Sequence, residues 1–166
     1  MNKVIPGEEV RDNLHLFLDH FNSLTDEDKY CRFFHTMGPD GIRDWLLELT
    51  ETPYTHFFIA RVDQESGRFV GISRLAIDLK SNTADIAISV LPEYRNKGIA
   101  CHLVTMATRI AERLKLENVS FQCEMGNRGC RALFTSLGFE SKYDSTQQCI
   151  TGFKRFNNAN SSYIIS

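Results

Sequence analysis

Apolar side chains recur at three- and four-residue steps between residues 10 and 49, then at two-residue steps between 56 and 90. The first period predicts helices and the second predicts strands. Val10, Leu14, Phe17, Leu18 and Phe21 predict a helix over 9–24. Thr25, followed by Asp26, Glu27 and Asp28, reads as an N-cap with acid in the first turn, opening a short helix that runs to 34. Gly38-Pro39-Asp40-Gly41 breaks the chain before an amphipathic helix on Ile42, Trp45, Leu46 and Leu49, which Pro53 ends. Residues 56–62, a turn over 63–67 and residues 69–78 then predict a hairpin. Lys80-Ser81-Asn82 turns the chain into a strand over 83–90. Ala84, Ile86, Ile88 and Val90 lie on one face of that strand, and Thr83, Asp85, Ala87 and Ser89 on the other.

After Pro92 the helical period returns. Ile99, Leu103, Met106, Ala107, Ile110 and Leu114 form a stripe that predicts a helix over 98–116. A strand over 119–124 follows, then a last helix capped by Asn127, with Cys130, Leu133, Phe134 and Leu137 on its apolar face and Gly138 stopping it. Residues 139–143 and 148–153 read as closing strands, and 157–166 as a polar tail behind a single domain over 1–156. This order predicts an α/β or α+β domain with a mixed sheet, in which helix 98–116 crosses over between two parallel strands.

At 166 residues, 42% hydrophobic and 24% charged, the chain has the composition of one globular domain. A net charge of −2 gives no reason to expect nucleic acid or an anionic membrane as partner. No apolar run approaches the roughly 20 residues that span a bilayer, and the opening residues lack the apolar stretch of a signal peptide, so a cytoplasmic location is expected. Charge is uneven: residues 1–55 carry five basic and eleven acidic side chains. Solvated helix faces account for this, although an acidic wall would also suit a cationic ligand. The five cysteines are widely spaced, and the histidines show no ligand spacing, so neither a disulfide framework nor a metal site is expected.

The chemistry concentrates in Val90-Leu91-Pro92-Glu93-Tyr94-Arg95-Asn96-Lys97-Gly98-Ile99-Ala100, between a strand and a long helix. Successive N–H groups in such a turn, with a helix N-terminus behind them, suit an anion. Gly98 removes a side chain where a phosphate must approach the backbone, and Arg95 and Lys97 add positive charge. The spacing is neither a P-loop nor G-x-G-x-x-G. Further on comes Gly126-Asn127-Arg128-Gly129-Cys130-Arg131-Ala132-Leu133-Phe134-Thr135-Ser136-Leu137-Gly138-Phe139.

In order, spacing and context the two segments resemble the GNAT family of acyl-CoA-dependent N-acyltransferases, over roughly 57–153. Leu24-Thr25-Asp26-Glu27-Asp28-Lys29-Tyr30-Cys31-Arg32-Phe33-Phe34, together with the strand Thr83-Ala84-Asp85-Ile86-Ala87-Ile88-Ser89-Val90, resembles the GNAT domain of Pat-type bacterial protein lysine acetyltransferases. The resemblance implies a mostly antiparallel sheet with one splayed parallel pair, flanked by helices. It implies acetyl-CoA as acyl donor, with its pyrophosphate on the backbone of Arg95, Asn96, Lys97, Gly98, Ile99 and Ala100. The pantetheine arm would run along Val90, with Asn127 near it. It also implies direct transfer to a primary amine, on a protein lysine or a small molecule. Freeing a lysine-like amine of its proton near pH 7.5 costs about 4 kcal/mol, which a carboxylate base addresses. Asp85 takes that position by resemblance, and Glu124 is the second candidate; as alternatives, both are solvated side chains. Phe134 stands where many members carry a tyrosine as general acid, and nothing in the sequence places the hydroxyl of Tyr94 or Tyr143. Cys123 and Cys130 fall on apolar faces and read as structural thiols. A non-catalytic CoA-binding sensor is the alternative to an enzyme, and exposed C-terminal strands would allow pairing in a homodimer.

Overall fold

The computed structural model describes residues 2–52, 54–62 and 67–157. The expected turn over 63–67 therefore lies almost wholly outside the described residues, as do Pro53 and the tail beyond Asn157. Seven strands form one sheet in the order β1-β2-β3-β4-β5-β7-β6. They are β1 (Asn2–Pro6), β2 (Thr55–Arg61), β3 (Phe69–Asp78), β4 (Thr83–Val90), β5 (Asn118–Cys123), β6 (Glu140–Asp144) and β7 (Cys149–Arg155). Every pairing is antiparallel except β4 with β5. The helices are α1 (Leu14–Asn22), α2 (Asp26–Phe33), α3 (Pro39–Leu49), α4 (Ile99–Arg113) and α5 (Arg128–Ser136). No helix among the described residues is long and apolar enough to cross a membrane.

Two expectations change at the N-terminus. β1 was not foreseen, because its five residues offer a single fully buried apolar side chain, Ile5. The helix expected over 9–24 resolves into 3-10 turns at Gly7–Glu9 and Arg11–Asn13 followed by α1. A three-residue turn repeats the same face as an α-helix, so Val10 is buried either way. Gly7 packs so tightly that a Cβ there would lie 3.0 Å from the Leu49 carbonyl.

Further along, local chemistry and structure agree. Thr25 caps α2 in a capping box, its hydroxyl accepting from the Asp28 N–H at 3.1 Å. Asn127 caps α5 by accepting from the Cys130 N–H at 3.0 Å. Leu114, the last member of the α4 stripe, falls at the C-cap and is 51% exposed.

Alternation along β3 and β4 assigns the two faces. Gly71 approaches α4 so closely that a Cβ would meet Ile99 Cγ2 at 2.7 Å, and Gly71 pairs with Val90. Val90, Ile88 and Ile86 therefore look toward α4, while Asp85, Ala87 and Ser89 look toward α1, α2 and α3. The Phe17, Phe57 and Phe69 rings pack edge to face under α1. Phe121, Phe134 and Phe139 form a second aromatic cluster beneath α5.

Candidate active site

Strands β4 and β5 pair through only three rungs, Thr83 with Asn118, Ala84 with Val119 and Asp85 with Ser120, and then diverge. The Leu91 N–H donates to the Val70 carbonyl at 2.9 Å, so Val90, one residue earlier, turns its own peptide groups to the opposite edge, into the opening. Asn96 and Gly98 take positive φ values of 59° and 79°. The chain thus winds through two left-handed residues before α4, and the N–H groups of 96–101 find no acceptor among the described residues. A row of unpaired N–H groups at the positive end of a 15-residue helix favours an anion. The Cβ that Gly98 lacks would enter open space.

Arg95 does more than add charge. Its Nε donates to the Val90 carbonyl at 3.0 Å, and its Nη2 lies 2.8 Å from Asp28 Oδ1. Burial alone would raise the Asp28 pKa, but hydrogen bonds from Arg95 and Thr25 outweigh it and hold the carboxyl below its ordinary value. One guanidinium thereby ties α2 to the end of β4.

A cavity of about 660 Å³ opens over this seam. It brings together most of the residues singled out in the sequence: Asp85 and Val90 from β4; Arg95, Asn96, Gly98, Ile99 and Ala100 from the turn; and Asn127 from the cap of α5. Lys97 and Glu124 are not in its wall. Lys97 Nζ folds back to the Glu93 carbonyl at 3.2 Å, over the Tyr94 ring. Glu124 Oε2 accepts from the Gly126 N–H at 2.8 Å and closes a local turn.

Asp85 sits where the two strands part. Its Oδ1 accepts from the Ser120 hydroxyl at 3.3 Å, and burial raises its pKa against the pull of Arg74 and Arg32. It is half-buried and lines the cavity. Two positions along, the Ser89 hydroxyl lies 2.8 Å from Nε2 of His20, whose Nδ1 lies 3.0 Å from the Phe69 carbonyl. Burial lowers the His20 pKa to about 4, so the ring is neutral. A carbonyl can only accept, so Nδ1 carries the proton and Nε2 receives the one from Ser89. The lone pairs of Ser89 remain for a donor in the cavity.

The acetyltransferase (GNAT) family profile matches residues 18–139. The chain belongs to the GNAT family of acetyltransferases. No curated protein sequence matches it, but the fold recurs widely among solved structures. The GNAT domain of Pat from S. lividans superposes with a TM-score of 0.76 at 15% identity, covering 93% of this chain and 89% of that one. A ribosomal-protein-alanine N-acetyltransferase from Brucella melitensis gives 0.64 at 16% identity, covering 94% and 99%. The PaiA N-acetyltransferase from Thermoplasma acidophilum, in complex with coenzyme A, gives 0.63 at 13% identity, covering 94% and 99%.

The remaining side chains singled out in the sequence of this acetyltransferase take definite places. Phe134 stacks on Phe121 at 4.0 Å between centroids and is 1% exposed, so the position offers no acid. Tyr94 reaches the cavity wall, whereas Tyr143 is half exposed on β6, away from it. Cys123 and Cys130 are core thiols that also border the cavity. Of the N-terminal acids, only Asp28 reaches the cavity wall. Asp26 and Glu27 face outward, Asp28 lines the cavity but is held by Arg95, and Arg32 is the other charge that α2 turns into it. Arg74, in the middle of apolar β3, joins it there. A lone arginine inside the run Phe69–Asp78 was the one sequence signal available.

Proposed function

We propose that this acetyltransferase moves the acetyl group of acetyl-CoA directly to a primary amine held over Ala87 on β4. The row of unpaired N–H groups over 96–101 carries the reading, because it forms an anion cradle at the mouth of a cavity whose floor holds the half-buried carboxylate of Asp85. On this reading the cradle binds the pyrophosphate, and the Val90 N–H, which faces the opening between β4 and β5, orients the pantetheine arm toward the seam. Asp85, poised by burial above its ordinary pKa, takes the proton of the incoming ammonium, and Ser89 accepts a second N–H and aims the lone pair. The neutral amine nitrogen then bonds to the thioester carbonyl carbon, the nitrogen gives up its second, now acidic proton to solvent, and the C–S bond breaks to release the amide and the thiolate. Phe134 supplies no proton to it, so solvent at the open mouth does.

Calorimetric titration with acetyl-CoA tests the reading. Wild type is expected to bind, and Gly98→Glu, which puts a carboxylate into the open space beside the cradle, is expected to lose at least about tenfold in affinity. Absence of acetyl-CoA binding by folded wild type would refute both transfer and a sensor role.

A further inference from the structure

The end of the cavity beneath α2 holds two guanidinium groups and one carboxylate, Asp85, which forms an ion pair with neither of them. Arg32 lies over the Phe21, Phe33 and Trp45 rings at 5.9, 5.1 and 5.4 Å, and Arg74 lies over Trp45 at 5.7 Å. Aromatic faces hold the two cations in place. Neither side chain donates a hydrogen bond or has a carboxylate within salt-bridge distance among the described residues, and Arg32 Nη2 and Arg74 Nε are buried without a partner. Burial and the mutual repulsion of the pair push Arg32 down to about 9, and burial lowers Arg74 as well, with Asp85 opposing both. Of the charged side chains in this wall, Arg95 is spent on Asp28, which leaves two cations facing the single carboxylate of Asp85. Buried, fork-shaped donors left over in this way match a planar bidentate anion.

Register supplies the spacing. Arg74 pairs across the sheet with Ala87, whose small side chain leaves the floor open, and Asp85 and Ser89 flank Ala87 on the same face. Diagonal neighbours on adjoining strands stand roughly 7–8 Å apart. An amine between Asp85 and Ser89 therefore has a guanidinium a few bonds away.

Building on the acetyl-transfer reading, we propose that the acceptor is a small amine that also carries a carboxylate, an amino acid or a close analogue, with Arg32 and Arg74 binding the carboxylate while Asp85 and Ser89 hold the amine. Protein lysines and polyamines lack that second group.

Matched acceptors test this: L-lysine against cadaverine, L-phenylalanine against phenethylamine, L-methionine against its decarboxylated amine, and an amidated lysine peptide. Each is followed by thiol release and, without turnover, by fluorescence of Trp45, the chain's one tryptophan. At least one carboxylated member is expected to be preferred in kcat/KM by about tenfold or more and to change Trp45 fluorescence saturably. That preference should collapse in Arg74→Gln and recover only in part in Arg74→Lys, which keeps the charge but loses the fork. Acetyl-CoA calorimetry on the same variants shows that they are folded. Acetyl-CoA binding with no preference for any carboxylated amine, or with the amidated peptide turned over best, overturns the inference and leaves acetyl transfer standing. Failure to bind acetyl-CoA refutes acetyl transfer instead, and the Trp45 titrations still decide whether the carboxylate site exists. No Trp45 response to any carboxylated amine overturns the site.

Discussion

His20 joins α1 to β4 through Ser89, and its burial should make stability depend on pH in a way a single variant can isolate. The ring is 0% exposed, and its pKa falls from 6.5 to about 4. Between these values the unfolded chain binds a proton that the folded chain refuses, so stability rises with pH across the window and is lost as pH falls through it. The full displacement is worth roughly 3 kcal/mol, of which about 2 kcal/mol is already lost at pH 5. His20→Gln does not titrate and retains an acceptor for Ser89, while giving up the bond to the Phe69 carbonyl and some packing. At pH 8 it should be less stable than wild type by about 1–2 kcal/mol. Urea unfolding followed by Trp45 fluorescence at pH 8 and pH 5 measures the gap, and carboxylates that titrate in both proteins cancel from it. The gap is expected to close by about 2 kcal/mol at pH 5, bringing the two proteins near parity. A gap that stays constant to within about 0.5 kcal/mol would mean that folded His20 takes its proton at an ordinary pKa, and the burial argument would be wrong.

Two further outcomes are expected. Asp85→Asn should lower kcat/KM by about a hundredfold or more and abolish the acid limb of its pH profile; in wild type that limb is displaced upward from the ordinary aspartate value, because burial raises Asp85 and the proposed role requires the ionised form. Retention of the limb in the variant would assign the base elsewhere. Gly152→Ala places a Cβ 2.6 Å from the Glu140 carbonyl and against the Phe121 ring, so a loss of about 3 kcal/mol, or roughly 6–12 °C in Tm, is expected by calorimetry; an unchanged Tm would show that β6 and β7 yield more easily than their packing implies.

What could be read in advance was what short stretches of chain decide for themselves. The strands 69–78 and 83–90 were placed to the residue because alternation and flanking turns are local. The anion cradle was visible because strand, turn, Gly98 and helix follow one another directly. Arg32 and Arg74 escaped notice because each looks ordinary alone, one in a polar helix and one in an apolar strand. Only the β3–β4 register and the docking of α2 bring them together. Asp28 was read as a first-turn acid, which it is, but its bond to Arg95 spans 67 residues and no local pattern announces it. The same limit applies to His20 and Ser89, 69 residues apart.

The three-rung pairing of β4 with β5 also affects cohesion. Beyond Asp85 and Ser120 the sheet behaves as two panels sharing a short hinge, one made of β1 to β4 and the other of β5 to β7. Past that hinge the facing edges of β4 and β5 no longer bond to each other, although they lie in the middle of a sheet. Whatever fills the gap fastens the panels together, so occupancy should slow amide hydrogen exchange on both sides of it at once, at Ile88 and Val90 as well as along the C-terminal panel. Empty, the protein is a sheet with an unsewn seam, and part of its rigidity arrives with its ligand.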